Sequence, residues 1–194
     1  MLNSNQILER IDYWYNKGEK ASENWYSEAN SYVHNLSLIY NVPVRVVAGV
    51  LASLSVLKRW EQNKEMTEIF FECQECKHTT TQAKKAESIY GLQRYEDVLS
   101  DIQLDKLIME FLRGEKTKSF YYSIVYPQTS PYVVLDSWML KAFNNGNLKP
   151  TKNQYQELSN YFIQKAHEYQ IPISALQARI WVELRKNKGY GKNF

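Results

Sequence analysis

Two short stretches hold residue types that can do chemistry together. In FLRGEKTKSFYYSIV, residues 111–125, a helix end is followed by Gly114, Lys116 and Lys118 and then by an aromatic helix. In YVVLDSWMLKAF, residues 132–143, one carboxylate, Asp136, stands in an otherwise apolar run. A glycine permits a tight turn between two helices. The second helix then offers its first backbone N–H groups, with two ammonium groups beside them, to an anion such as a nucleic-acid phosphate. A carboxylate in apolar surroundings can stabilise developing positive charge or activate a nucleophile. It can equally cap a helix beginning at Ser137, because aspartate is a favoured N-cap.

The elements that must position these groups have helical periodicity. Ile7, Leu8, Ile11, Trp14 and Tyr15 recur at the spacing of one helical face, with Gly18 as a stop. NVPVRVVAGVLASLSVL is apolar nearly all round, so it predicts a buried central helix with Pro43 in its first turn. An amphipathic segment, KRWEQNKEMTEIFFE, follows a bend near Ser55. Leu104, Leu107, Ile108, Phe111 and Leu112 form the inward face of the helix before the lysine-rich turn. YVVLD is rich in strand-forming residues, yet a lone strand has nothing to pair with. The expectation is an all-α fold of about nine or ten helices, well above the roughly one-third helix of ordinary domains.

Composition sets the outer bounds. The chain has 194 residues, 44% hydrophobic and 23% charged, which predicts a globular protein with a real core. A net charge of +3 is too small to announce a nucleic-acid binder by itself. The first residues carry no basic segment before a long apolar one, and no run approaches the roughly 18 apolar residues of a membrane span. A soluble, cytoplasmic protein with no membrane partner is expected. Cys73 and Cys76, with His78 nearby, make at most three soft ligands where structural zinc takes four. Two free thiols and no metal are expected. The three histidines share no spacing with a serine or an acid, and phosphate-binding glycine patterns are missing, so no cofactor is expected.

The lysine-rich turn followed by an aspartate resembles the helix-hairpin-helix (HhH-GPD) DNA glycosylase superfamily. There the hairpin runs Leu-x-Gly-x-Gly-x-Lys, and a later Val/Leu-Asp-Thr-x-Val-x-Arg carries the acid. Leu112, Gly114 and Lys118 match the hairpin pattern, and LDSWMLK places Asp136 on the acid, Ser137 on the threonine and Lys141 on the arginine. Lys116 replaces the second glycine, and an alternative alignment through EKT makes Lys116 the counterpart of the catalytic lysine. VAGVLASLSVLKRWEQN is similar to the superfamily's buried helix and DNA-facing bend, here Ser55, Lys58, Arg59, Trp60 and Asn63. The resemblance covers residues 43–143, and the last two helices resemble those of small phage- or mobile-element-encoded relatives.

The resemblance implies a single two-lobed glycosylase-like domain over residues 1–194. One lobe spans about 43–115, and the other combines about 1–42 with 116–194. It implies a monomeric DNA N-glycosylase that flips a damaged or modified base of double-stranded DNA into a pocket, in base-excision repair or in phage biology. Asp136 would stabilise or activate attack at the sugar. Lys116 or Lys118 would serve as nucleophile with strand-cleaving activity, or water would attack instead. Trp60, Trp138, Tyr121 and Tyr122 are the candidate pocket walls, and Asn63 or Arg59 the wedge. Gly114 with its hairpin, Lys58, Lys118, Lys141 and Arg185 are the candidate phosphate contacts, with Ser137 beside the acid. Two other classes stay open: a non-catalytic helix-hairpin-helix DNA-binding protein, and a base-modifying enzyme that leaves the glycosidic bond intact.

Overall fold

The computed structural model describes residues 2–73, 80–95 and 97–187. Among the described residues the protein is all-α, with ten α-helices, two 3₁₀ turns and no strand. The helices are α1 (Ser4–Lys17), α2 (Trp25–Tyr40), α3 (Val44–Leu54), α4 (Trp60–Glu72) and α5 (Thr81–Tyr90), followed by α6 (Asp101–Phe111), α7 (Glu115–Val125), α8 (Ser137–Phe143), α9 (Lys152–Tyr169) and α10 (Ile173–Lys186). Several begin where capping chemistry stands in the sequence. Asn3, Ser100 and Thr151 each bond the backbone of a glutamine three residues on, and the glutamine side chain bonds back.

The chain forms two compact units, Ala29–Val125 and Met1–Glu28 joined with Tyr126–Phe194. The division lies elsewhere than the expected 43–115 lobe, for two physical reasons. Helix α7 packs on α3, and the Asn30 amide donates to the Ile124 carbonyl at 2.9 Å. Most of α2 and all of α7 therefore belong with the central helix.

In the 29–125 unit, α3 is the hub, packed by α4, α5, α6 and α7. Its residues from Val46 to Leu54 are all buried, as the all-round apolar pattern requires. Arg45 opens this helix and pairs with Asp101 at 2.9 Å and Asp105 at 3.2 Å. Asp105 is buried, and it also accepts a 2.5 Å hydrogen bond from the Tyr121 hydroxyl. The buried carboxylate is thereby both paired and hydrogen-bonded, the condition under which burial is tolerated.

In the other unit, α10 packs on α1, α8, α9 and the 3₁₀ turn Lys20–Asn24. Arg179 of α10 lies on the Tyr15 ring at 4.0 Å, pairs with Glu23 at 2.8 Å and donates to the Gly18 carbonyl at 2.9 Å. Tyr15 stacks on Tyr169, whose hydroxyl donates to Asp12 at 2.6 Å. One chain of contacts thus ties α1, α9 and α10 together.

No single helix among the described residues is long and apolar enough to cross a membrane. Cys73 departs from the free-thiol expectation. It follows the end of α4 with non-helical backbone and is disulfide-bonded. Cys76 and His78 lie outside the described residues.

Gly49 marks the closest packing around α3. A Cβ placed there would sit 2.8 Å from Ile89 Cγ2 and 2.9 Å from Ile108 Cγ2. Both are branch methyls of stiff side chains, so the helix-propensity gain of alanine, about 1 kcal/mol, is outweighed. Gly49→Ala is expected to lower stability by about 1–2 kcal/mol in urea unfolding. An increase in stability would show that α5 and α6 can give way at this contact.

Candidate functional site

The carboxylate of Asp136 is placed by an extended segment and held by three donors. Ser130–Pro131 leads into residues 131–136, which run without helix or strand. Val133, Val134 and Leu135 bury their side chains there. Their backbone groups need partners, and Tyr155 of α9 supplies two. Its hydroxyl accepts from the Leu135 N–H at 3.0 Å and donates to the Val133 carbonyl at 2.9 Å. One phenol does locally what a neighbouring strand would do.

Asp136 then caps α8. Its Oδ1 accepts from the backbone N–H groups of Trp138 at 2.9 Å and Met139 at 3.0 Å. Its Oδ2 accepts from the indole Nε1–H of Trp181, on α10, at 2.8 Å. The residue is half-buried. Trp181 is packed edge-on against Trp25, with ring centroids 5.3 Å apart, and the Arg185 guanidinium lies 4.8 Å from its centroid. Tyr26 is buried nearby. Desolvation, then the Asp136 charge, push its hydroxyl well above the ordinary tyrosine range, so it stays neutral.

The remaining predicted residues of this unit lie on α8 and α10. Ser137 is exposed at the first position of α8. Trp138 is half-buried, and the Lys141 ammonium lies 5.3 Å from its ring centroid. Arg185 is half-buried on Trp181.

The lysine-rich turn belongs to the 29–125 unit and is a helix–turn–helix hairpin. Residues 112–114 join α6 to α7, and Gly114 takes φ +98°, a region that side chains strongly disfavour. Leu112 is buried beneath the turn, and the Thr117 hydroxyl lies within hydrogen-bonding distance of the Arg113 and Gly114 carbonyls, at 2.9 and 3.0 Å. Gly114 is exposed, and Lys116 and Lys118 are half-buried. Glu115 stands in the first turn of α7 and opposes an anion there, so the two lysines must supply the attraction.

The turn between α3 and α4 presents Lys58 and Arg59 as expected, both exposed. Two expectations for this region fail. Asn63 is only 2% exposed, and neither its amide nitrogen nor its oxygen has a partner, so it cannot act as a wedge or touch DNA. It sits one turn into α4 on the inward face, beside buried Thr67, which bonds its carbonyl. Ser55 is buried as well, with its hydroxyl on the Ala52 carbonyl.

Tyr121 fails as a pocket wall. It is fully buried, with its hydroxyl committed to Asp105. Trp60 and Tyr122 are half-buried, Trp60 packing edge-on to Tyr32 at 5.9 Å and Tyr122 to Tyr121 at 5.6 Å. No three His, Cys, Asp or Glu side chains among the described residues gather to hold a metal ion.

Sequence reasoning missed Leu57. It stands between α3 and α4 with 98% of its surface exposed and φ +60°. A leucine in the left-handed region costs about 1–2 kcal/mol, and here no burial offsets it. The available signal was its place between the end of a buried helix and the basic pair Lys58–Arg59.

These features define an all-α protein of two helical units, one presenting a basic hairpin and a strained apolar tip, the other an immobilised, half-buried carboxylate. The chain belongs to a family of unknown function, DUF7178, whose model matches residues 3–188. No curated protein and no solved structure matches the chain.

The two roles of Asp136 separate in stability measurements. Asparagine caps helices about as well as aspartate and alanine does not, a difference of about 1 kcal/mol. Asp136→Asn keeps the cap and loses the acceptor for Trp181. Asp136→Ala loses both. Alanine is therefore expected to destabilise by about 1 kcal/mol more than asparagine in urea unfolding. Equal costs would mean that the cap contributes nothing measurable.

Proposed function

We propose that this protein is a DNA N-glycosylase of the helix-hairpin-helix type, acting on a damaged or modified base in double-stranded DNA. The observation that carries the reading is the state of Asp136. Its Oδ1 is taken up by two backbone amides, and the residue is nonetheless half-exposed on an otherwise apolar segment. Three hydrogen bonds hold the carboxylate in one orientation. An immobile carboxylate is the group that departure of a base requires. As the C1′–N bond breaks and its electrons leave with the base, positive charge develops on the sugar ring. Water then adds to C1′ and passes a proton to the carboxylate, or a lysine adds and forms a Schiff base that leads to strand cleavage. Lys116 and Lys118 are the two candidates for that lysine.

The other features support the same reading. The hairpin around Gly114, with Lys58, Arg59 and Lys118, supplies phosphate contacts in the 29–125 unit. Lys141 and Arg185 supply them in the other. Leu57 replaces Asn63 as the wedge, because an apolar side chain inserted between base steps offsets the cost of unstacking. Trp138, two residues from Asp136 in the same unit, is the candidate pocket aromatic that stays accessible in part.

One observation favours a second reading. Both Asp136 oxygens already have partners within the protein, which suits a purely structural cap in a non-catalytic DNA-binding protein.

The test is base release under single-turnover conditions. DNAs carrying uracil, oxidised, alkylated or hypermodified bases are incubated with the protein and the free bases identified by mass spectrometry. The expected outcome is release of one class of base, reduced at least about 100-fold in Asp136→Asn while duplex binding persists. Salt-sensitive duplex binding with no base released by either protein would leave the non-catalytic reading standing and remove the enzyme.

A further inference from the structure

We infer that Trp181 is the positioning residue of the Asp136 carboxylate, selecting which oxygen reacts; this rests on the glycosylase reading of Asp136. A carboxylate offers about four lone-pair directions, two on each oxygen. The Trp138 and Met139 amides take two at Oδ1. The Trp181 indole takes one at Oδ2, at 2.8 Å. One direction on Oδ2 is left for a sugar or a water. Capping uses Oδ1 alone, so it does not account for the indole.

Trp181 is itself held firmly, by Trp25 at 5.3 Å and by the Arg185 guanidinium at 4.8 Å. This packing fixes the N–H, and the N–H fixes the oxygen. The ionisable groups around this arrangement are Tyr26 at the start of α2, Tyr155 on α9, Arg185 on α10 and Lys141 on α8. Tyr26 is neutral and buried, and Tyr155 is committed to the backbone of residues 133 and 135. Trp181 therefore supplies the side-chain donor on Oδ2. A hydrogen bond to a charged acceptor is shorter and stronger than one between neutral groups, so removing it leaves Oδ2 without the side-chain donor that sets its direction.

The test uses two duplexes, one with a pyrrolidine nucleotide whose ring nitrogen is cationic, the other with a neutral tetrahydrofuran nucleotide. The protein is expected to bind the cationic sugar at least about tenfold more tightly than the neutral one. In Trp181→Phe that preference should fall about tenfold. Trp25→Phe thins the packing but leaves the indole N–H, and should lower the preference by clearly less than Trp181→Phe does. Replacing Trp181 with benzothienylalanine, which has tryptophan's shape with sulfur for N–H, should match Trp181→Phe. That variant separates loss of the donor from loss of folding.

A wild-type preference in Trp181→benzothienylalanine, with the preference abolished in Asp136→Asn, overturns the positioning role and leaves the glycosylase reading intact. A Trp25→Phe shift as large as that of Trp181→Phe assigns the effect to packing and overturns it too. A preference that survives Asp136→Asn removes the glycosylase reading itself. In that case the indole ¹⁵N–¹H resonance of Trp181 would still report whether the hydrogen bond exists, by moving in Asp136→Asn.

Discussion

Three consecutive apolar side chains, Val133, Val134 and Leu135, are buried on an extended segment that has no strand beside it. A buried backbone without partners is costly, and the Tyr155 hydroxyl removes that cost by bonding the residue on each side of Val134. Everything at the carboxylate depends on this contact. It fixes where the segment ends, so the next residue arrives where α8 begins and its side chain can turn back onto the first amides. The same backbone path brings Oδ2 to the indole of Trp181. A phenol from α9 and an indole from α10 together locate one carboxylate.

The 29–125 unit follows a different logic. Its order comes from α3, which is buried on every side and against which four other helices pack. Polar groups enter that core with partners, as in the Arg45–Asp105–Tyr121 arrangement. Among the described residues Asn63 departs from this, its side-chain amide buried and unpartnered. At the rim the chemistry reverses. The hairpin turn needs a glycine at φ +98°, and the α3–α4 turn holds a leucine at φ +60° in full exposure. A buried leucine would stabilise the fold; this one does not. Strain borne by an exposed apolar residue is the kind of cost that a binding function explains.

How much of this was legible in the sequence follows from the range of the interactions involved. The all-α class, the central position of α3 and the capping of α8 by Asp136 depend on periodicity and on neighbours within four residues, and all were readable. The hairpin was readable too, because its glycine and buried Leu112 are local. Tyr155 and Trp181 were not, because they act on segments 20 and 45 residues away, and no spacing rule links them. Asn63 and Tyr121 misled because a polar residue near a bend and an aromatic beside a basic turn look accessible in sequence, whereas packing against α3 and the Asp105 carboxylate drew them inside. Leu57 misled in the opposite direction: an apolar residue continuing a buried helix is expected in the core, and the turn put it outside. The lobe boundary shifted because α7 packs on α3, a contact that the hairpin motif does not encode.

The proposed glycosylase function requires that the protein open a duplex at one nucleotide and expose its sugar to Asp136. The most direct measurement is the fluorescence of 2-aminopurine, placed opposite an abasic analogue in a duplex and read at saturating protein. The base brightens when it leaves the stack. A several-fold rise that survives Asp136→Asn and is lost in Leu57→Gly, with duplex binding retained in both, is the predicted result. Tight binding with no rise in the wild-type protein would mean that the duplex stays closed, and that neither the strained leucine nor the carboxylate acts on an extruded nucleotide.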